Sequence, residues 1–285
     1  MTFIKSLKSD KNIILKKCAT PAPEILITDQ ECVHIAIVDT ETTGIDKLND
    51  KIIEIAIKSI DMDKSSGEIL SIKDQYESYN DPGVEIKNEI TLLTGIDNST
   101  VFKSSIDWDT VDFIFEKVDL IIAHNAAFDR AFIDPHSSKS KEKVWACSVN
   151  DIDWLNRGFS SSKQELLCHW HGFYFEAHRA MNDVDALLTL LTHNSYITKR
   201  PILELLENAW KPTYIIFAEN FVYDIQKKDI MKANKYNWNP IKKIWFKKVS
   251  SEQIDIEKKW LTELIYGTEF KGRIEKVNII EKYKI

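Results

Sequence analysis

The run Ile35-Ala36-Ile37-Val38-Asp39-Thr40-Glu41-Thr42-Thr43-Gly44 constrains this chain more than any other segment. Four consecutive apolar residues read as a buried strand. Side chains alternate along a strand, so Asp39 and Glu41 emerge on one side and Thr40 on the other. Two carboxylates so close, at the end of a buried element, repel one another. A divalent cation held between them is the simplest remedy. A solvated turn would draw on the same residues, since Asp, Thr and Gly all favour turns.

Around this run the pattern alternates between strand and helix. Strands are expected at His34–Asp39, Ile52–Met62 and Glu68–Tyr79, and Asp81-Pro82-Gly83 ends the third as a turn. The second is apolar on both faces except at Glu54, as in the centre of a covered sheet. Helices are expected near Ile90–Ile96 and at Trp108–Val118, and a short buried strand at Leu120–Ala123. The helix Ala126–Ile133 carries Phe128 and Phe132 one turn apart. A polar loop, Pro135–Lys143, and two short helices lead to a long helix from about Arg179. Its apolar face is Ala180, Val184, Leu187, Leu188 and Leu191. This order argues for a mixed α/β domain built on a sheet.

Three segments are expected: an extension over residues 1–30, a main domain over 31–198 and a C-terminal module over 199–285. Residues 199–285 hold 18 basic and 12 acidic side chains, against 20 and 32 in the remainder, so a basic module follows an acidic domain. That asymmetry suits a negatively charged partner, although surface charge also varies without one. From Lys227 to Lys248 there are eight lysines and one acid, Asp229, interleaved with Tyr236, Trp238, Trp245 and Phe246. Such a stretch fits a nucleic-acid surface; it also fits a small fold whose aromatics form the core beneath a solvated lysine face, since a module this short needs its aromatics inside. No apolar stretch approaches the ~18 residues of a membrane span, and the start is too short in apolar content for a secretory signal, so a cytoplasmic location is expected. The four cysteines form no Cys-x-x-Cys pair and read as free thiols. Cys168-His169-Trp170-His171 is too tightly spaced for the usual structural zinc site and reads as helix face or core.

Two further acids stand where solvation is poor. Asp129 lies early in the helix after Leu120–Ala123, and Asp183 in the first turns of the long helix. Taken singly, each suits a helix N-terminus. His178 precedes that helix; taken singly it reads as a capping or surface histidine, while from a connecting segment it could swing over the same cavity and accept a proton near neutral pH.

Together, Asp39-x-Glu41-Thr-Thr-Gly44, His124-Asn125-Ala-Ala-Phe128-Asp129 and His178-Arg-Ala-x-x-Asp183 resemble the DEDDh 3′–5′ exonucleases, the family similar to the proofreading subunit of bacterial replicative polymerases. The resemblance covers about Val33 to His193. Trp145-Ala-Cys-Ser148 and Asp151-Ile-Asp-Trp154 are similar to a bacterial branch with an extra C-terminal module. The resemblance implies a ribonuclease H-like mixed five-stranded sheet flanked by helices, here followed by a small α+β module. It implies two divalent ions, Mg2+ or Mn2+, held by Asp39, Glu41, Asp129 and Asp183, with His178 as general base. Two such ions about 3.5–4 Å apart serve in-line displacement at phosphorus. Thr40 (through its backbone), Thr42, Asn125 and Phe128 match positions that contact the substrate, and Phe128 equally suits a purely core role. The implied activity is hydrolysis from the 3′ end of DNA with release of 5′-mononucleotides. An RNA exonuclease of the same fold is the alternative, as is an adaptor that binds nucleic acid through the basic module.

Overall fold

The computed structural model describes residues 8–9, 12–19, 31–196 and 199–284. They form two compact units. The first runs to Ala209 and regains the chain at Tyr283; the second is Trp210–Lys282. The boundary lies later than the expected residue 199, because helix Pro201–Ala209 buries Ile202, Leu205, Leu206 and Ala209 in the first unit. Much of the expected extension over 1–30 lies outside the described residues. Within it, Lys16–Lys17 pairs in parallel with Phe173–Tyr174, a long-range pairing no local pattern announces.

The first unit is built on five strands: β1 (Cys32–Thr42), β2 (Ile52–Asp63), β3 (Ile69–Tyr79), β4 (Leu120–Ala123) and β5 (Val144–Cys147), in the order β3-β2-β1-β4-β5. The first three form an antiparallel meander; β4 and β5 then add in parallel. This is the expected ribonuclease H-like sheet. Strand β5 falls where short helices were expected, and a helix at Ser138–Glu142 occupies part of the expected polar loop. All four β5 residues are buried.

Helices α1 (Asn88–Thr94), α2 (Trp108–Glu116), α3 (Ala126–Ile133), α4 (Gln164–Trp170), α5 (Ala180–Leu191) and α6 (Pro201–Ala209) surround the sheet. Helix α5 packs on β1 and β2. The face read from its sequence, Ala180, Val184, Leu187, Leu188 and Leu191, is buried throughout. Burying such side chains contributes roughly 1.5–3 kcal/mol each, which fixes the rotation of α5 and therefore the direction of Asp183. Cys168 lies buried in α4, in line with the core reading.

The second unit contains β6 (Thr213–Ala218), α7 (Ile225–Ala233), β7 (Asn237–Asn239), β8 (Ile244–Ser250), α8 (Ile254–Leu261) and β9 (Arg273–Val277). Its antiparallel sheet has the order β7-β8-β6-β9, the split βαβ arrangement. Ile216, Met231, Tyr236, Trp245, Val249, Leu261 and Ile265 form its core. Among the described residues, no helix is long and apolar enough to cross a membrane.

Candidate active site

Three chain segments carry the acids to one place. Asp39 and Glu41 sit at the end of β1, opposite Ala56 and Glu54 of β2, and a register shift between Glu41 and Thr42 breaks the pairing there. Bulges of this kind commonly re-aim side chains at sites. The turn beyond is tight. Thr42 donates its hydroxyl to the Gly44 carbonyl at 2.5 Å, and Thr43 donates to Asp50 Oδ1 at 2.9 Å. A Cβ on Gly44 would stand 2.5 Å from Asp50 Oδ2, so any side chain there would displace the Asp50 carboxylate that Thr43 holds. Asp129 lies in the first turn of α3, whose cap, Asn125, is left-handed (φ 84°, ψ 49°). Asp183 lies in the first turn of α5 and accepts a hydrogen bond from the Arg179 amide at 3.2 Å.

One ligand oxygen each from Asp39, Glu41 and Asp183 lies within 4.8 Å of the others. Asp129 joins them through Thr40, which donates both its amide (3.1 Å) and its hydroxyl (2.9 Å) to Asp129 Oδ1. All four acids line a cleft of about 540 Å³, together with Thr40, Thr42, Asn125, Phe128 and His178. Ile90, Leu93, Phe128 and Phe175 supply apolar wall. His178 is left-handed (φ 64°) and 48% exposed, with Nδ1 3.9 Å from Glu41 Oε1. It therefore stands on the connection before α5, over the acids.

The electrostatics of the cluster are adverse without a cation. Burial, then Asp183, Asp129, Glu41 and Glu54, hold Asp39 well above the carboxylate range. Burial and its acidic neighbours lift Glu41 to about 8. Burial lifts Asp129 and Asp183 to about 7 against the opposing pull of their hydrogen bonds. An all-oxygen donor set of this density fits a hard divalent cation such as Mg2+ or Mn2+ better than zinc. His124 is a different case from His178. Burial lowers it to about 4, and its Nδ1 is 2.6 Å from Ser148 Oγ, so it belongs to the scaffold.

One participant escaped the sequence reading. Glu54 is 0% exposed and lies directly across from Glu41. Arg179 Nη2 donates to its Oε1 at 3.1 Å and the Ala180 amide to its Oε2 at 3.0 Å. Glu54 thus anchors the start of α5 between His178 and Asp183. The signal was present, as the one acid in the otherwise apolar segment Ile52–Ile57, but nothing in the sequence paired it with Arg179.

The exonuclease family model RNase T matches residues 36–191, which include all four acids and His178. The PolC-type DNA polymerase III of Caldanaerobacter subterraneus subsp. tengcongensis is 36% identical over 164 residues, covering 54% of this chain and 11% of the polymerase. That of Bacillus subtilis is 29% identical over 164 residues, again 54% of this chain and 11% of the relative. The matched region thus spans about a tenth of those relatives' length. Among solved structures, exonuclease X in complex with 5′ overhanging duplex DNA is 20% identical, with 60% of this chain and 99% of that chain covered and a TM-score of 0.42. Exonuclease I is 17% identical, with 87% and 63% covered and a TM-score of 0.49. With the family model spanning more than half of its length, this chain belongs to the RNase T exonuclease family.

Proposed function

We propose that this protein is a metal-dependent 3′–5′ exonuclease that hydrolyses DNA from its 3′ end and releases 5′-mononucleotides. The observation that carries the proposal is the convergence of Asp39, Glu41, Asp129 and Asp183 in one cleft with His178 beside them. DNA is preferred because the curated relatives of this region are DNA polymerases.

The four carboxylates would hold two divalent cations, which supply charge neutralisation at phosphorus and at the leaving 3′-oxygen. Thr40 fixes the Asp129 carboxylate through two hydrogen bonds, so that acid is oriented before any ligand arrives. Glu54 and Arg179 hold the turn from which His178 and Asp183 project. His178, half in solvent, takes the proton from the attacking water and passes it to bulk. The Phe128 ring, backed by Phe132 with centroids 5.0 Å apart, gives the substrate strand an apolar wall near its penultimate base, and Asn125 offers an amide to the sugar-phosphate. These contacts read few base edges, so sequence preference should be weak.

Digestion of matched 5′-end-labelled DNA and RNA, single- and double-stranded, with Mg2+, Mn2+ or chelator tests the reading. Stepwise shortening from the 3′ end, dependent on metal, is expected. It should be abolished by Asp39→Ala and lowered about 10²–10⁴-fold by His178→Ala. Cleavage that persists in chelator, or a purified protein inert on every 3′ end with metal supplied, overturns it. Faster turnover of the RNA arm would move the substrate assignment while keeping the chemistry.

A further inference from the structure

The second unit divides the aromatic and basic residues of Lys227–Lys248 into two groups. Tyr236 and Trp245 are core, at 3% and 4% exposed. Trp238, on β7, is 45% exposed, with its ring 5.4 Å from that of Trp245 at 54°. Trp245 thus backs the Trp238 indole from inside the fold while much of that indole stays open to solvent. The lysines separate in the same way. Lys247 is paired with Glu257, Lys248 donates to the Lys282 carbonyl at 3.0 Å, and Lys227 to the Val222 carbonyl at 3.1 Å. Lys232, Lys235, Lys242 and Lys243 are exposed and make no ion pair with an acid among the described residues.

These unpaired lysines fall within, or a few residues before, one hairpin. Lys232 and Lys235 sit at the end of α7 and just beyond it, leading into β7; Lys242 and Lys243 lie in the connection from β7 to β8. That connection is held in shape by Asn239, whose Oδ1 accepts from the amides of Ile241 (3.1 Å) and Lys242 (2.9 Å). Ile241, at its tip, is 92% exposed. Four unpaired lysines, on and just before the hairpin that carries a supported, solvent-facing indole, have the chemistry of a strand-binding platform. The ammoniums match phosphates, and the indole matches the face of an unpaired base.

We propose that the β7–β8 hairpin, with Trp238, Lys232, Lys235, Lys242 and Lys243, binds single-stranded nucleic acid without sequence preference. The stacking partner must be an unpaired base, because bases inside a duplex offer no free face to Trp238. The hairpin is a binding surface in its own right, and it rests on the proposed function only in taking nucleic acid as the ligand. Its metal requirement also differs: lysine and indole contacts need no cation, whereas the carboxylate cleft repels phosphate until cations neutralise it.

Fluorescence anisotropy of the full chain with labelled oligo(dT) and oligo(U) in chelator, at 50–300 mM KCl, provides the test. Chelator prevents turnover, so binding is read apart from catalysis. Trp238→Ala should weaken binding about 5- to 100-fold, the range for loss of one stacked base, with Trp238→Phe restoring most of it. Lys242→Ala with Lys243→Ala should reduce the slope of log affinity against log salt by about 1.4, at about 0.7 per phosphate contact on a single strand. Trp238→Ala should leave that slope unchanged. Circular dichroism of each variant confirms the fold, since none of these side chains is core. Wild-type affinity and slope in folded variants, or equal binding of a blunt duplex with Trp238→Ala silent, overturns the assignment. A protein that degrades 3′ ends while failing these tests loses only the hairpin; one that binds through the hairpin yet degrades nothing loses only the exonuclease reading.

Discussion

Raising the pH should destabilise the metal-free protein, and the acid cluster sets by how much. Glu41 ionises near 4.5 in an unfolded chain and at about 8 in the fold. A group whose folded value is raised stabilises the fold fully below its unfolded value, and that stability is lost as pH rises through the folded one. The loss for Glu41 therefore runs from about pH 4.5 to 8. At 1.36 kcal/mol per pH unit it reaches about 4 kcal/mol between pH 5 and 8, a large share of the 5–15 kcal/mol typical of a domain. Asp129 and Asp183, lifted from 3.8 to about 7, act in the same direction. At about 2–4 °C per kcal/mol, the melting temperature in chelator should fall on the order of 10 °C from pH 5 to pH 8. Mn2+ should erase most of the fall, because it binds the ionised form of the folded protein alone. Glu41→Gln keeps the shape and removes the charge. It should raise the melting temperature in chelator at pH 8 and weaken the rescue by Mn2+. Thermal melts at half-unit pH steps, with and without metal, measure all of this. A chelated protein whose melting temperature is flat or rising from pH 5 to 8 refutes the argument, since the carboxylates would then be relaxed without a cation.

Two more predictions follow from the scaffold of the site. Glu54→Gln leaves Arg179 without its anionic partner, and charged hydrogen bonds of that kind contribute about 1.5–3 kcal/mol; metal-dependent turnover should fall about 10- to 100-fold with far-ultraviolet circular dichroism unchanged, and steady-state kinetics at wild-type rates would count against Glu54 as the anchor of α5. Gly44→Ala forces a methyl group into the Asp50 carboxylate and should destabilise the first unit by about 1–3 kcal/mol, read as a lower urea midpoint.

The legible parts of this protein were those whose signal is local. Asp39 and Glu41 follow an apolar run, and alternation alone puts them on one side of β1. The stripe Ala180–Leu191 fixed the rotation of α5, and with it the direction of Asp183. What stayed hidden depends on pairing between distant segments. Val144–Cys147 is four residues long, too short for periodicity to separate a strand from a helix; its place beside β4 makes it a strand. Glu54 stood out as an acid in an apolar strand, yet its partner Arg179 is 125 residues away. Lys16–Lys17 gains strand character only from Phe173–Tyr174. In the second unit, the sequence showed aromatics among lysines but not which of Trp238 and Trp245 faced inward; that choice belongs to the sheet.

Tyr283 changes how the second unit is to be understood. Its ring is part of the apolar core of the first unit, and its phenol donates to Asp151, with burial holding it far above the usual phenol range. In chain order, Trp210–Lys282 is a guest insertion, with residues of the first unit before and after it. Truncation after Ala209 would therefore pull a plug from the nuclease as well as remove the guest, and any loss of activity would have two causes. Splicing Ala209 to Tyr283 through a flexible linker isolates the contribution of the guest alone.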